Sequence, residues 1–336
     1  MSDFDYGVFI GRFQPLHAGH EHVIHEALKR VESLIIVIGS ATSARTTINP
    51  FTFEERKRLL IDVFKHEWSA GRLRIIGVAD NASNDDWKAD VESAVGRIVL
   101  EDLGGEKRES AIALAGYGKD ETSFYLDLFP EWASIQLGTS YGKLSATSIR
   151  EEYLRYGSPT GRAWKVSPST QRFLDEFVQS EPYWLLRYEQ QYYDGYQTIW
   201  GPGPFLCADA LVKWNDHVLL VTRGKIPGKG LLAMPGGHLN EGETFLDAAL
   251  RELEEETGLV IRENWDVLHQ PFIADAPRRS LRGRVISLVQ PITLIAEHMP
   301  NVAGADDAAH AAFYPIHELR QEQFFEDHWF LINRFI

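Results

Sequence analysis

The chain predicts two tandem α/β units: a doubly wound parallel α/β sheet, followed by an α+β unit with a mixed sheet. Three observations carry this. Over the first 140 or so residues, short apolar runs ending in glycine alternate with segments of helical apolar spacing. From 157 to 205 the composition shifts to proline, glycine and aromatics. Beyond 205 a strand–turn–strand pattern around Asn215-Asp216 leads into one strongly patterned helix and then further strands. A length of 336 residues is long for one core and comfortable for two.

The elements follow in order. Residues 6–10 form an apolar run that stops at Gly11, a first strand. Residues 20–31 set His20, Val23, Ile24, Ala27, Leu28 and Val31 at the spacing of one helical face. Residues 34–38 are apolar and mostly β-branched, a second strand ending at Gly39. Thr52 and Glu55 stand at capping-box spacing and start a helix that reaches about residue 64. A third strand is expected at 73–78, a helix at 90–100, a fourth strand at 111–115 before Gly116, and a short fifth at 135–137. Ligands of such sheets bind at the carboxyl ends of the strands, where Gly11, Gly39 and Gly116 fall.

The stretch after 157 holds many prolines and glycines but also Tyr183, Trp184, Tyr188, Tyr192, Tyr193, Tyr196 and Trp200. A flexible linker is poor in aromatics. A packed connector is therefore expected at 181–204, after a helix over 169–179, which bounds the units at 1–180 and 205–336. In the second, 205–223 reads as two strands, 244–257 as a helix, and the segments near 267–275 and 284–297 as further strands.

Composition narrows the function. A net charge of −14 argues against a surface that coats nucleic acid, although a local basic pocket or a metal can still hold phosphate. The single cysteine, Cys207, rules out an intrachain disulfide and a cysteine-rich metal site, and it fits a reducing, cytoplasmic setting. No basic-then-apolar leader opens the sequence and no apolar run is long enough for a membrane span, so no membrane partner is expected. A homo-oligomer is compatible with all of this.

The first chemical constellation is GRFQPLHAGH, residues 11–20. A strand ends, a loop carries His17 and His20 around Gly19, and a helix begins. A helix N-terminus offers unpaired N–H groups and the positive end of the dipole, and two imidazoles three residues apart share one side of a turn. That pattern suits a polyphosphate and the charge that develops during its transfer. HAGH resembles the HxGH signature of the nucleotidyltransferase superfamily, and LSATSIR at 144–150 resembles its second signature through Ser145, Thr147 and Arg150. Ser148 and Glu151 also stand at capping-box spacing. With the segments at 48–56, 84–87 and 116–132, the first half is similar to nicotinamide-mononucleotide (NMN) adenylyltransferases of the archaeal-type branch. The resemblance implies transfer of AMP from ATP, with His17, His20 and Arg150 stabilising charge. It places the acceptor's pyridine ring on Trp87 beside Asn84, puts Gly11, Arg12, Phe13 and Arg45 near phosphate or ribose, and puts Lys119 and Asp120 on the adenosine side. Other phosphorylated acceptors, such as phosphopantetheine or flavin mononucleotide, stay open.

The second constellation spans 237–259. It matches G-x5-E-x7-R-E-U-x-E-E-x-G-U at Gly237, Glu243, Arg251, Glu252, Leu253, Glu255, Glu256, Gly258 and Leu259. Glu252, Glu255 and Glu256 share one helical face, where carboxylates repel unless a cation sits among them, and hard oxygen ligands suit Mg²⁺ or Mn²⁺. The string resembles the signature of Nudix hydrolases over 205–336. The resemblance implies that Glu243 and Arg251 brace the motif, with Gly237 and Gly258 shaping it, and that Glu255 is catalytic. The substrate it implies beside such an adenylyltransferase is ADP-ribose. Asp306 and Asp307 are candidates for a base or a metal contact, and Arg278, Arg279 and Arg282 for phosphates. A different nucleoside diphosphate, or a domain that only senses ADP-ribose, remains the alternative.

Overall fold

The computed structural model describes residues 2–106, 110–116, 127–136, 144–160, 163–261 and 266–336. It divides into two compact units, Met1–Arg187 and Tyr188–Ile336.

In unit 1 the order is β1 (Phe4–Gly11), α1 (Ala18–Leu28), β2 (Val31–Ile38), α2 (Phe53–Val63), α3 (Lys65–Ser69), β3 (Leu73–Gly77), α4 (Asn84–Asp102), β4 (Ile112–Gly116), β5 (Ala133–Gln136), α5 (Ala146–Tyr156) and α6 (Pro168–Phe177). The strands pair in parallel in the order β3-β2-β1-β4-β5. The order reverses beside β1, so the crevice beyond the carboxyl ends of β1 and β4 is the topological switch point. Both sheet faces are covered, as a parallel sheet requires. Leu34, Ile36 and Ile38 pack with α1 and α2, while Ile35 and Val37 pack on the opposite side with Val91, Ala94 and Val95 of α4.

Two helix starts differ from expectation. α4 begins six residues before the expected 90, because the Ser83 hydroxyl accepts from the Asp86 N–H at 3.0 Å. Asp85 and Asp86 then sit in the favourable first turn. That turn is exposed, so it carries no apolar periodicity. α5 likewise starts at Ala146, flanked by Ser145, and the expected Ser148–Glu151 box lies inside the helix. The Thr52–Glu55 box on α2 is present in both directions.

The connector at 181–204 is mostly a helix, α7 (Glu181–Trp200), and the division into units falls within it. Unit 2 continues with β6 (Phe205–Trp214), β7 (His217–Arg223), β8 (Leu232–Ala233), β9 (Gly236–His238), α8 (Phe245–Thr257), β10 (Asp266–Leu268), β11 (Phe272–Ala274), β12 (Val285–Leu294), β13 (Ala308–Pro315) and α9 (His328–Asn333). The β6–β7 hairpin turns at Asn215, which takes a left-handed φ of 50°. The sheet is mixed: β12 runs parallel to β6, and the other pairings are antiparallel. Leu253 of α8 packs on Ala210, Val212 and Ile292, which leaves Glu255 on the exposed side of the helix while Glu256, one turn on from Leu253, is buried.

Candidate active sites

In unit 1 the loop after β1 folds on its own side chains. Phe13 takes a left-handed φ of 51°, and its ring is buried against Phe9 and His20, with centroids 5.6 and 4.9 Å away. A Cβ on Gly11 would press on that ring at 2.9 Å, so Gly11 makes room for it. The Phe13 ring thus supports the loop from beneath.

The start of α1 also differs from expectation. The His17 Nδ1 accepts from the Gly19 and His20 N–H groups at 3.1 and 3.4 Å. Ala18 N–H donates to the Lys165 carbonyl, and Glu21 N–H to the His17 carbonyl. The N–H groups of this first turn are therefore bonded within the protein. His17 supplies the cap itself. With Nδ1 accepting, the neutral ring carries its proton on Nε2. The His17 and His20 rings stack at 3.8 Å with 19° between planes.

Three residues tie this loop to distant chain. Arg150 of α5 is buried, and its Nη1 donates to the Gln14 carbonyl at 3.1 Å, while Nη2 reaches the Thr147 hydroxyl at 3.4 Å. This brings together the two signatures that lie 130 residues apart from His20 to Arg150. Burial, and then the positive charge of Arg12, depress the Arg150 pKa to about 10. Arg12 of the loop is exposed, so it and the buried Arg150 of α5 are two interacting cations of different accessibility. The Gln14 amide is buried and grips Phe51 twice: Nε2 donates to its carbonyl at 2.8 Å and Oε1 accepts its N–H at 3.0 Å. Arg56, also buried, donates to the carbonyls of Arg12, Gly39, Ser40 and Thr52, clamping the carboxyl ends of β1 and β2 to α2. Sequence reasoning missed Gln14 and Arg56. The only signal for Gln14 was its place in the GRFQP string.

The remaining expected contacts of unit 1 divide. Arg45 is engaged elsewhere: it forms a two-pronged pair with Glu55 at 3.0 Å on each prong, bonds the Pro50 carbonyl and lies over the Phe177 ring. Asn84 is exposed on the first turn of α4, and half-buried Trp87, one turn on, meets Phe129 edge-on at 6.1 Å. Ser145 flanks α5 without capping it. Lys119 and Asp120 lie outside the described residues.

In unit 2 the motif closes around Arg251. Its Nε and Nη2 bind the Glu243 carboxylate at 2.6 and 3.1 Å, Nη1 bridges Glu252 at 2.7 Å and Glu255 at 3.0 Å, and Nη2 also reaches the His238 carbonyl at 3.1 Å. The guanidinium beside it holds the Glu243 carboxyl down at about 2. Gly258 ends α8 with a left-handed φ of 71°. A Cβ on Gly237 would overlap the Glu252 carboxylate, so glycine lets β9 approach α8.

The three metal candidates differ in setting. Glu255 has about half of its side chain exposed, Glu252 is mostly covered, and Glu256 is buried and accepts from the Gly236 N–H at 3.1 Å. Burial pushes the Glu256 carboxyl up to about 8 and raises Glu252 as well. Among the described residues no three such side chains already converge on one point, and Arg251 spans Glu252 and Glu255. The donor set nevertheless fits a hard divalent cation: it is all carboxylate oxygen, and its buried members are those whose charge a cation would relieve.

The outlying candidates are largely paired. Asp307 binds Lys225, Arg279 forms a two-pronged pair with Asp327 at 2.9 Å, and Arg282 binds Glu326 at 3.3 Å. Asp306 takes a left-handed φ of 52°, and its charge helps raise the Glu252 pKa. Arg278 is exposed.

Known proteins match both units. Residues 8–152 match the cytidylyltransferase-like family and residues 205–335 the NUDIX domain. The chain is 36% identical over 199 residues to a nicotinamide/nicotinic acid mononucleotide adenylyltransferase of Acinetobacter baylyi, which covers 59% of this chain and all of that one. It is 32% identical over 133 residues to an ADP-ribose pyrophosphatase of Methanocaldococcus jannaschii, covering 40% of this chain and 73% of that one. A crystal structure of a bifunctional NMN adenylyltransferase/ADP ribose pyrophosphatase from Francisella tularensis matches with a TM-score of 0.85, 32% identity and 98% of both chains. The same kind of protein from that organism, complexed with AMP and a manganese ion, matches at 0.83 and 31% over 98% of both chains. With a cytidylyltransferase-like unit, a NUDIX unit and a full-length structural relative, the chain belongs to the family of bifunctional NMN adenylyltransferase/ADP-ribose pyrophosphatases.

Proposed function

We propose that unit 1 transfers AMP from ATP to nicotinamide mononucleotide, giving NAD⁺ and pyrophosphate, and that unit 2 hydrolyses ADP-ribose to AMP and ribose 5-phosphate. The observation that carries the first half is the hydrogen bond from Arg150 to Gln14 in the loop of His17 and His20. It places a buried cation and two imidazoles at the switch point of the sheet. An oxygen of the mononucleotide's 5′-phosphate bonds to the α-phosphorus of ATP as the bond from that phosphorus to the bridging oxygen of pyrophosphate breaks. The nucleophile is already ionised, so no general base is needed. His17, through Nε2–H, and His20 and Arg150 stabilise the charge that shifts onto the α-phosphate and the leaving group. Arg12, Ser145 and Thr147, with Lys119 and Asp120, complete the nucleotide contacts in this reading.

Trp87 is the proposed stacking surface for the acceptor's cationic pyridine ring, and Asn84 reads its amide. Trp87→Ala should then raise the mononucleotide KM roughly tenfold with little change in the KM for ATP. An unchanged mononucleotide KM would remove the pyridine assignment. Gln14 holds the loop beneath Arg150 through its buried amide, which grips Phe51. Gln14→Ala is expected to lower NAD⁺ formation roughly ten- to a hundredfold while ADP-ribose hydrolysis by the same preparation stays constant. Equal loss of both would mean general unfolding.

In unit 2, Glu252, Glu255 and Glu256 would hold Mg²⁺, with Mn²⁺ able to replace it. The cation, when bound, polarises the diphosphate and lowers the pKa of a water. Arg251 sets the rotamers of Glu252 and Glu255, and Glu243 fixes Arg251 in turn. The direct test is chromatography of two incubations of the purified protein with Mg²⁺, one with ATP and nicotinamide mononucleotide, the other with ADP-ribose. NAD⁺ in the first and AMP in the second are the expected products. A folded protein that makes neither would overturn the reading.

A further inference from the structure

The two signatures of unit 1 meet directly where Arg150 donates to the Gln14 carbonyl. The chain after α5 adds a second, indirect hold that no step described so far uses. Glu152, two residues beyond Arg150, leaves α5 in a different direction. Its carboxylate gathers three donors from the segment that follows the helix. Oε1 accepts from the Thr160 N–H at 2.7 Å and from the Thr160 hydroxyl, and Oε2 accepts from the Trp164 indole N–H at 2.5 Å. Its neighbour Glu151 instead forms an exposed i,i+4 pair with Arg155 at 3.5 Å, the ordinary use of a carboxylate on a helix surface. The Thr160 hydroxyl, then its N–H, then the indole hold the Glu152 carboxyl below its ordinary value, so the acceptor is ionised at pH 7 and its hydrogen bonds are charge-assisted.

Trp164 is buried, and its ring meets Tyr153 edge-on at 5.7 Å in the cluster that also holds Phe51, the residue gripped by Gln14. The backbone turns tightly after it, with the Val166 N–H donating to the Trp164 carbonyl at 2.9 Å. The residue inside that turn is Lys165, and its carbonyl accepts from the Ala18 N–H at 2.9 Å. The His17 ring takes the next two N–H groups of α1, those of Gly19 and His20. α5 therefore holds the loop on both sides of His17: at the Gln14 carbonyl through Arg150, and at the Ala18 N–H through Glu152, Trp164 and Lys165. One hold leaves such a segment free to swing, and two fix its direction.

We propose that Glu152 is a positioning residue for adenylyl transfer: through the Trp164 indole it fixes the Lys165 carbonyl against the first N–H of α1, and so sets the direction in which His17 and His20 point. The inference rests on the reading of unit 1 as an adenylyltransferase that uses those histidines. The arrangement of donors makes it specific. An amide at 152 can keep its oxygen on Thr160, but its NH₂ group then meets the indole N–H, donor against donor. Glu152→Gln thus breaks the link to Trp164 and spares the others. Trp164→Phe removes the same link from the other end and keeps a ring against Tyr153.

The test reads steady-state rates and amide hydrogen exchange on the full chain. Glu152→Gln and Trp164→Phe should each lower kcat for NAD⁺ formation roughly tenfold, with the KM for ATP and for the mononucleotide within about twofold of wild type. ADP-ribose hydrolysis by the same preparations should stay constant. Exchange of the Ala18 amide should quicken roughly tenfold, while residues 23–27 in the middle of α1 keep wild-type protection. The double variant should be no worse than either single one, because both changes remove one bond. Full kcat in both single variants, whether or not Ala18 exchanges faster, overturns the positioning role. So does a double variant whose loss is the product of the two, or a loss of protection along all of α1. Unchanged exchange at Ala18 removes the indirect hold itself. A wild type that forms no NAD⁺ removes the reading of unit 1 and the positioning role with it.

Discussion

Replacing His17 by alanine is expected to slow NAD⁺ formation by roughly a hundred- to a thousandfold, the loss typical of one fixed donor to a charge-developing oxygen. The same change removes the cap of α1, because His17 Nδ1 accepts the Gly19 and His20 N–H groups. Loss of a cap costs about 1 kcal/mol. The two roles use opposite ring atoms and can be separated. His17→Asn restores a side-chain oxygen of the kind preferred at this position but offers no Nε2–H at imidazole reach. It should recover the melting temperature and leave the rate low. His20→Ala should do the reverse of a capping mutant, losing rate while the cap persists. Steady-state rates and melting curves of the three variants decide the matter. If asparagine recovers the rate along with the stability, His17 acts only as a cap.

This double use of His17 marks what the sequence could and could not reveal. The GRFQPLHAGH string made the strand, loop and helix legible because they are contiguous there, and local order is what periodicity encodes. It did not reveal that the helix would be capped by its own catalytic candidate, since that depends on a side-chain rotamer. Gln14 and Arg56 were invisible for a different reason. Their partners, Phe51, Gly39 and Ser40, are 16 to 37 residues away and are backbone atoms, which leave no trace in residue type. Arg45 illustrates the converse. Its charge suggested a phosphate, but Glu55 lies close enough in the fold to take it. The nine-position motif of unit 2 is contiguous in sequence, so the pairing of Arg251 with Glu243, Glu252 and Glu255 runs through one helix and the loop before it. The aromatics of the connector were visible only as a composition; that Tyr196 meets Phe205 of β6 edge-on at 5.2 Å requires the sheet.

Within that motif the three glutamates should respond differently to neutralisation. Glu255→Gln is expected to reduce AMP release from ADP-ribose at least a hundredfold, with NAD⁺ formation and the metal-free melting temperature nearly unchanged, since Glu255 is the most exposed of the three. Glu256→Gln should also abolish hydrolysis but should alter stability, because Glu256 is buried with its pKa raised to about 8. An unfolded glutamate titrates near 4.3. Between those values the folded, metal-free state binds the proton that the unfolded state has lost, so stability falls as pH rises. The contribution is complete below the unfolded pKa and gone once pH passes about 8. In chelator, the calorimetric transition that a divalent cation shifts should therefore move to lower temperature from pH 5 to pH 9, reflecting a loss of stability of a few kcal/mol at most. Glu256→Gln should flatten that slope and be the more stable protein at pH 9. Added Mg²⁺ or Mn²⁺ should restore wild type and have little effect on the variant, because the cation repays a charge that only the wild type buries. Parallel pH profiles for the two proteins would show that Glu256 carries no such penalty, and the argument that its burial prepares the site for a cation would fail with it.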